Sequence, residues 1–274
     1  MAYFGKVNIL KVNRFAPPGA YLQFNEEEVL LPNKYVVEGQ AIDDEVEVFV
    51  HRDSEDRLVA TTLKPFAQVG EFAALEVVDT TSFGAFLDWG LEKHLLVPKR
   101  EMQESMSIGN KYVVKVVLDH LTNRILGVSK LNAFIFDDAA YEEGDEVNAL
   151  VVGDSELGYR VLVESKYWGL LFYNEVFKPI EQGDAIRCFV KQVRPDGKID
   201  LSLRKPGLET QQSDASQIVE ILKLNGGSMN ISDKSEPEII KEAFGLSKKS
   251  FKRAIGSLYK EKLIQIEPTL IRLL

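Results

Sequence analysis

The chain has 274 residues, enough for two or more domains, and its 45% hydrophobic and 27% charged residues are those of ordinary soluble globular protein. A net charge of −9 argues against strong, uniform affinity for nucleic acid, and the single cysteine, Cys188, excludes an internal disulfide. No apolar run approaches the ~20 residues of a membrane span, and Met1-Ala2-Tyr3-Phe4-Gly5-Lys6-Val7 lacks a basic-then-apolar signal layout, so a cytoplasmic protein without membrane contact is expected.

Residues 1–64 hold five short β runs: 5–12, Ala20-Tyr21-Leu22-Gln23-Phe24, Val29-Leu30-Leu31-Pro32, 45–50 and 58–62. Turn-rich breaks separate them, at Pro17-Pro18-Gly19, Asn25-Glu26-Glu27 and Asp53-Ser54-Glu55-Asp56, and no helical period appears. A small barrel is the expected product, with Leu63-Lys64-Pro65 as the joint to the next.

Residues 66–132 repeat that layout. Residues 70–78 answer to 5–12, Gly84-Ala85-Phe86-Leu87 to Gly19-Ala20-Tyr21-Leu22, and Leu96-Val97-Pro98 to Leu30-Leu31-Pro32. In Phe83-Gly84-Ala85-Phe86-Leu87-Asp88-Trp89-Gly90 the two glycines fall where a sharply curved strand needs backbone without a Cβ. A unit of this size holds its own core, so the repeat describes one small domain used again. The rings of Phe134, Phe136 and Tyr141, in the linker over 130–143, are expected to pack the second and third copies together.

A third copy covers 142–207, with runs over 145–152, 158–163, 169–172, 185–193 and 198–204, and an Asp196-Gly197 hairpin turn. Residues 208–214 read as a short polar linker. The period then changes over 214–274. Residues 216–224 put Ile218, Ile221 and Leu222 on one helical face, ended by Asn225-Gly226-Gly227. Ser235-Glu236-Pro237-Glu238 reads as a capping box opening a second helix that runs to Phe244. Ser247 caps a third, with Phe251, Ile255 and Leu258 as its buried stripe. Strands over 263–267 and 269–273 follow. Three helices and a β-ribbon describe a winged helix.

Catalysis finds little support. His51, His94 and His120 each lack a second histidine or cysteine at ligand spacing, and Cys188 lies in an apolar strand run. No glycine-rich phosphate loop occurs, and Glu26-Glu27-Glu28 and Asp43-Asp44-Glu45 read as solvated charges. A non-enzymatic protein without metal or cofactor is expected.

Phe83-Gly84-Ala85-Phe86-Leu87, then Leu96-Val97, then Arg124-Ile125 with Ser129, resembles the ribosomal S1-type RNA-binding domain, a five-stranded OB barrel. Three such copies ending in a winged helix resemble the conserved virulence factor B family of bacterial RNA-binding proteins. The resemblance implies a multidomain, mainly β chain of three tandem S1-type OB-fold barrels and an α+β winged-helix domain, with a post-transcriptional regulatory role. It also implies an RNA face with two aromatics around the first glycine, a histidine ending the third strand, and an acid followed by a base near the last hairpin. The second copy offers Phe83, Phe86, Asp119 and Arg124, with Pro98 for the histidine. The first offers Tyr21, Asp53 and Arg57, with Pro18 and Pro32 at the other places, and the third offers Arg160, Phe172, Arg194 and Lys198, with Leu157 at the first aromatic place.

The residues themselves point the same way. An exposed ring gives a base a flat platform, and a neighbouring cation holds its phosphate. The third copy combines Arg160, Phe172, Lys191, Arg194 and Lys198. Phe86 and Phe172 alternate with apolar residues, so core and surface placements both stay open, whereas Trp89 and Trp168 are expected to pack. In the third helix Lys248/Lys252 and Lys249/Arg253 form two like-charged i, i+4 pairs, which invite a polyanion. The expected partner is single-stranded RNA, bound by a monomer mainly through the third barrel and the winged helix. Two alternatives stay open: a scaffold docking an RNA-processing or ribosomal protein, and a winged-helix regulator of duplex DNA.

Overall fold

The computed structural model describes residues 1–119, 121–176, 179–204 and 208–274, with backbone alone over 208–213. His120 therefore lies outside the described residues. Two compact units divide the chain. The larger is Met1–Ala139, Asn148–Ile186 and Arg194–Ile199; the smaller is Ala140–Val147, Arg187–Val193 and Asp200–Leu274.

Three closed five-stranded barrels follow one another. The first is β1 (Val7–Ala16), β2 (Gly19–Phe24), β3 (Glu27–Pro32), β4 (Glu45–Arg52) and β5 (Leu58–Thr61). The second is β6 (Phe72–Thr81), β7 (Gly84–Asp88), β8 (Leu95–Pro98), β9 (Lys111–Asp119) and β10 (Arg124–Val128). The third is β11 (Glu146–Asp154), β12 (Gly158–Val163), β13 (Tyr167–Phe172), β14 (Ala185–Val193) and β15 (Ile199–Ser202). All share one strand order, first-second-third-fifth-fourth, closing fourth on first.

The closure has a local cause that recurs. The first strand carries a bulge at the same place in each barrel: Val12/Arg14, Val77/Asp79 and Val151/Gly153. A bulge raises the local twist and lets one long strand serve both ends of a small barrel. The second strand then passes so close to the third that a Cβ on Gly19, Gly84 or Gly158 would land on the carbonyl oxygen of Leu31, Val97 or Leu171. Only glycine fits there, which is the physical content of the repeated glycine.

Strand alternation fills each interior. Leu10, Val12, Leu22, Leu31, Val48 and Val50 pack the first barrel, and Leu75, Val77, Leu87, Leu95, Val97 and Val116 the second. The first two barrels join through Phe49, whose ring meets Trp89 edge-on at 5.6 Å. The junction of the second and third is Val113, Leu131, Val152 and Leu162, with Ile135 and Trp168 against them. The linker rings play a smaller part there than expected. Phe136 is exposed and Phe134 half-buried, while the aliphatic Leu131 and Ile135 fill the gap.

The winged-helix region is α1 (Leu208–Leu224), β16 (Ser228–Met229), α2 (Pro237–Phe244), α3 (Lys248–Lys260), β17 (Ile264–Ile266) and β18 (Ile271–Leu273), with sheet order β16-β18-β17. Its core is Ile218, Leu222, Ile240, Phe244, Phe251, Ile255, Leu258, Ile264 and Ile271. Two expectations need correction. Residues 208–214 are the first turns of α1 rather than a linker. The capping box does not form: α2 starts at Pro237 behind Glu236, and the Ser235 hydroxyl accepts the Ser232 N–H instead. Ser247 does cap α3, accepting the Ser250 N–H at 3.1 Å.

Candidate nucleic-acid interface

The strand registers of the three barrels agree residue by residue. Tyr21 lies opposite Leu30, Phe86 opposite Leu96, and Arg160 opposite Leu170. All three sit on the second strand's outward face, two residues past the close-packed glycine. Tyr21 and Phe86 are half-buried and Arg160 exposed, so Phe86 is a wall residue and not a core residue. Pro32, Pro98 and Phe172 face those glycines at the end of the third strand. Phe172 is half-buried there.

Across the bulge the first strand sets Arg14 opposite Tyr21, Asp79 opposite Phe86 and Gly153 opposite Arg160. Arg14 was not among the expected site residues. Its guanidinium stacks on the Tyr21 ring at 3.7 Å and pairs with Glu28 at 2.6 Å. One face of that ring is thus already occupied. Finding Arg14 from sequence requires the bulge to be known, since it shifts the register of β1 against β2 by one.

In the second barrel Phe83 is exposed and meets Phe86 edge-on at 6.0 Å. The base of the last hairpin, Arg124, comes within 3.5 Å of Asp56 from the first barrel. Arg57 is held closer to home, by Asp53 at 2.7 Å and Glu55 at 2.9 Å. Trp89 is buried as expected, its Nε1 donating to the Lys93 carbonyl at 2.6 Å.

Barrel three presents Arg160 5.0 Å from the centre of the Trp168 ring. Trp168 is a packing residue, its Nε1 donating to Asn132 Oδ1 at 3.0 Å. Lys198 is exposed beside Asp196, with Nζ 2.7 Å from the carboxylate. That carboxyl sits below its ordinary range because Lys198 hydrogen-bonds it. Arg194 is half-buried, and its backbone N–H closes the hairpin on the Lys198 carbonyl at 2.8 Å. Lys191 is exposed on β14, within the smaller unit. Cys188 is buried, and burial pushes its thiol up to about 12, which leaves it without thiolate character at neutral pH.

On α3 the residues Lys249, Lys252 and Arg253 are exposed and Lys248 half-buried. Lys252 lies 3.8 Å from Asp233. Behind Arg253, Asp214 is buried 3.7 Å from Arg204; burial pushes its carboxyl up, and Arg204 and Arg253 oppose that rise. The first turn of α3 contains no acid and opens on Lys248 and Lys249, against the helix dipole. Among the described residues no group of three His, Cys, Asp or Glu is placed to hold a metal ion, and no helix is long and apolar enough to cross a membrane.

Closed barrels of this order, with a ring or guanidinium on each second strand and a helix–ribbon module following them in the chain, define a tandem S1-type protein with a winged helix. The S1 domain model matches residues 4–63 and 69–126, and the CvfB-like winged helix domain model matches 216–273. Similarity extends over most of the chain to the uncharacterized protein YitL of Bacillus subtilis, 30% identical over 93% of this chain and 89% of its own. It extends likewise to conserved virulence factor B of Staphylococcus aureus, 31% identical over 82% of this chain and 80% of that one. The chain belongs to the conserved virulence factor B family. A solved multidomain protein with nucleic acid binding domains from Streptococcus pneumoniae is 23% identical, covering 99% of this chain and 98% of its own at a TM-score of 0.45.

Proposed function

We propose that this chain binds single-stranded RNA with weak sequence selectivity, chiefly through the third barrel and the winged helix, in post-transcriptional control. The observation that carries the reading is the shared register. Three barrels set Tyr21, Phe86 and Arg160 at one equivalent outward position beside an aliphatic neighbour. A flat group there stacks a base at a gain of ~1–3 kcal/mol, and stacking accepts any base, which accounts for weak selectivity.

The cations of α3 support the same reading. Lys248 and Lys249 in a first turn, with like charges repeated at i, i+4, cost folding energy of a few tenths of a kcal/mol or more each. A polyanion on that face adds an attraction to each of those cations that offsets these costs. The −9 total keeps binding modest and salt-sensitive.

The test is a titration of a single-stranded oligonucleotide against the Arg160→Ala, Lys198→Ala double variant. Binding is expected to weaken about tenfold, from loss of one stacking group and one phosphate cation. Unchanged binding removes the third-barrel face from the site. Preference for duplex DNA over single strands instead supports a winged-helix regulator.

A further inference from the structure

A cleft of about 510 Å³ lies where the first barrel meets the second, lined by both. That volume falls within the ~300–1,000 Å³ of small-molecule sites. From the second barrel come Phe86, Trp89, Leu96, Ile125 and Leu126, an apolar wall with the Phe86 ring at its face and Trp89 buried behind it. From the first comes the turn between β4 and β5, with Arg52, Ser54 and Asp56. Lys93 and Arg124 complete a cationic edge, and Asp79 is the other acid. A volume of about 510 Å³ suits one nucleotide unit better than a length of strand.

The turn is held firmly. Lys93 Nζ donates to the Asp53 carbonyl at 2.6 Å and the Arg52 carbonyl at 3.3 Å. Arg52 Nη1 donates to the Asp56 carbonyl at 2.6 Å, and the Asp53 carboxylate accepts the N–H groups of Glu55 and Arg57. Yet Arg52 Nε is buried with no hydrogen-bond partner. That nitrogen has no exposed surface, so Arg52 acts on the cleft through its charge rather than through Nε. Cations exceed acids on this lining by one, and Asp56 is engaged with Arg124.

A ring over an apolar wall, an acid and a fixed guanidinium at an excess-positive edge together match one chemistry. The geometry points to a site for a single nucleotide unit, built jointly by the first two barrels: base on Phe86, phosphate toward Arg52 and Lys93, and an exocyclic amine toward Asp79. The inference rests on the RNA-binding reading for its ligand class, and it goes beyond the face of any one barrel by assigning Arg52 and Lys93. The same unit is available as a free nucleotide or as the terminal residue of a strand.

The experiment is calorimetric titration of the full chain with adenosine monophosphate, and with one single-stranded hexanucleotide with and without a 5′-phosphate. Saturable binding of the mononucleotide is expected, weakened at least tenfold by Phe86→Ala and by Lys93→Gln. Because Lys93 also steadies the turn, Phe86→Ala provides the second, independent variant. A 5′-phosphate that tightens the hexanucleotide in a Lys93-dependent way identifies a strand end as the source. Mononucleotide binding without competition from the hexanucleotide identifies a free nucleotide. If the hexanucleotide binds but the mononucleotide does not and the 5′-phosphate has no effect, the cleft assignment falls while RNA binding stands. Mononucleotide binding indifferent to both Phe86→Ala and Lys93→Gln overturns the assignment as well. If the hexanucleotide fails to bind at all, the broader RNA reading falls.

Discussion

Substituting Lys249→Ala together with Arg253→Ala tests the winged-helix face with a number. Both side chains are exposed and stand one turn apart on α3. Alanine keeps the helix: its propensity exceeds that of Lys and Arg slightly, and removing a like-charged i, i+4 pair relieves ~0.2–0.5 kcal/mol. Arg204 stays 3.7 Å from Asp214, so the buried carboxyl keeps its nearest cation. Folding stability should therefore hold within about 0.5 kcal/mol. On single strands each phosphate contact contributes about 0.7 to the slope of log K against log salt, so losing two flattens the slope by about 1.4. Between 50 and 200 mM salt, wild type should lose roughly sevenfold more affinity than the variant. Fluorescence anisotropy with a labelled single strand at several salt concentrations reads this directly. Parallel slopes for the two proteins would show that α3 meets no phosphate.

Gly84→Ala should destabilise the second barrel by about 1–3 kcal/mol or more, because its Cβ meets the Val97 carbonyl oxygen, and this is read as a lower denaturant midpoint. Leu162→Ala, at the junction of the second and third barrels, should cost about 2–5 kcal/mol in the same measurement, since the side chain is fully buried. Cys188 should resist a thiol reagent at pH 8 in the native protein and react once unfolded, since its thiol is held up at about 12 by burial; rapid native labelling would contradict the buried placement. The Glu92 carboxyl is held below its ordinary range by Lys34, 2.6 Å away. A depressed acid contributes stability above its unfolded pKa of about 4.3, and that contribution is lost as pH falls through the lower folded value. Glu92→Gln should therefore narrow its difference from wild type in thermal melts as pH drops below about 4.

Much of the architecture was readable because the constraints are local. Gly19, Gly84 and Gly158 recur where strands cross too closely for a Cβ, and Pro32 and Pro98 recur opposite two of them, so the repeat showed through low sequence similarity. The stripe Phe251, Ile255 and Leu258 placed α3 for the same reason. What escaped depends on register and on docking. Arg14 reaches Tyr21 only through a bulge, and Arg52 and Lys93 acquire a role only once two barrels meet. The start of α1 was missed because Gln, Ser, Thr and Asp over 210–214 have the composition of a linker, while the backbone continues the helix that buries Ile218 and Leu222. The linker rings Phe134 and Phe136 compete with aliphatic neighbours for the gap between the second and third barrels. Leu131 fills that gap at 4% exposure, and Phe136 is left on the surface at 59%.

One outward position per barrel, repeated in register, is proposed to receive bases. The most direct measurement is the affinity of the full chain for a single-stranded RNA before and after combining Tyr21→Ala, Phe86→Ala and Arg160→Ala. At ~1–3 kcal/mol for each of the three stacking groups, a loss of about a hundredfold or more is predicted, with the thermal midpoint little changed. Affinity within twofold of wild type, in a protein that melts normally, would contradict it.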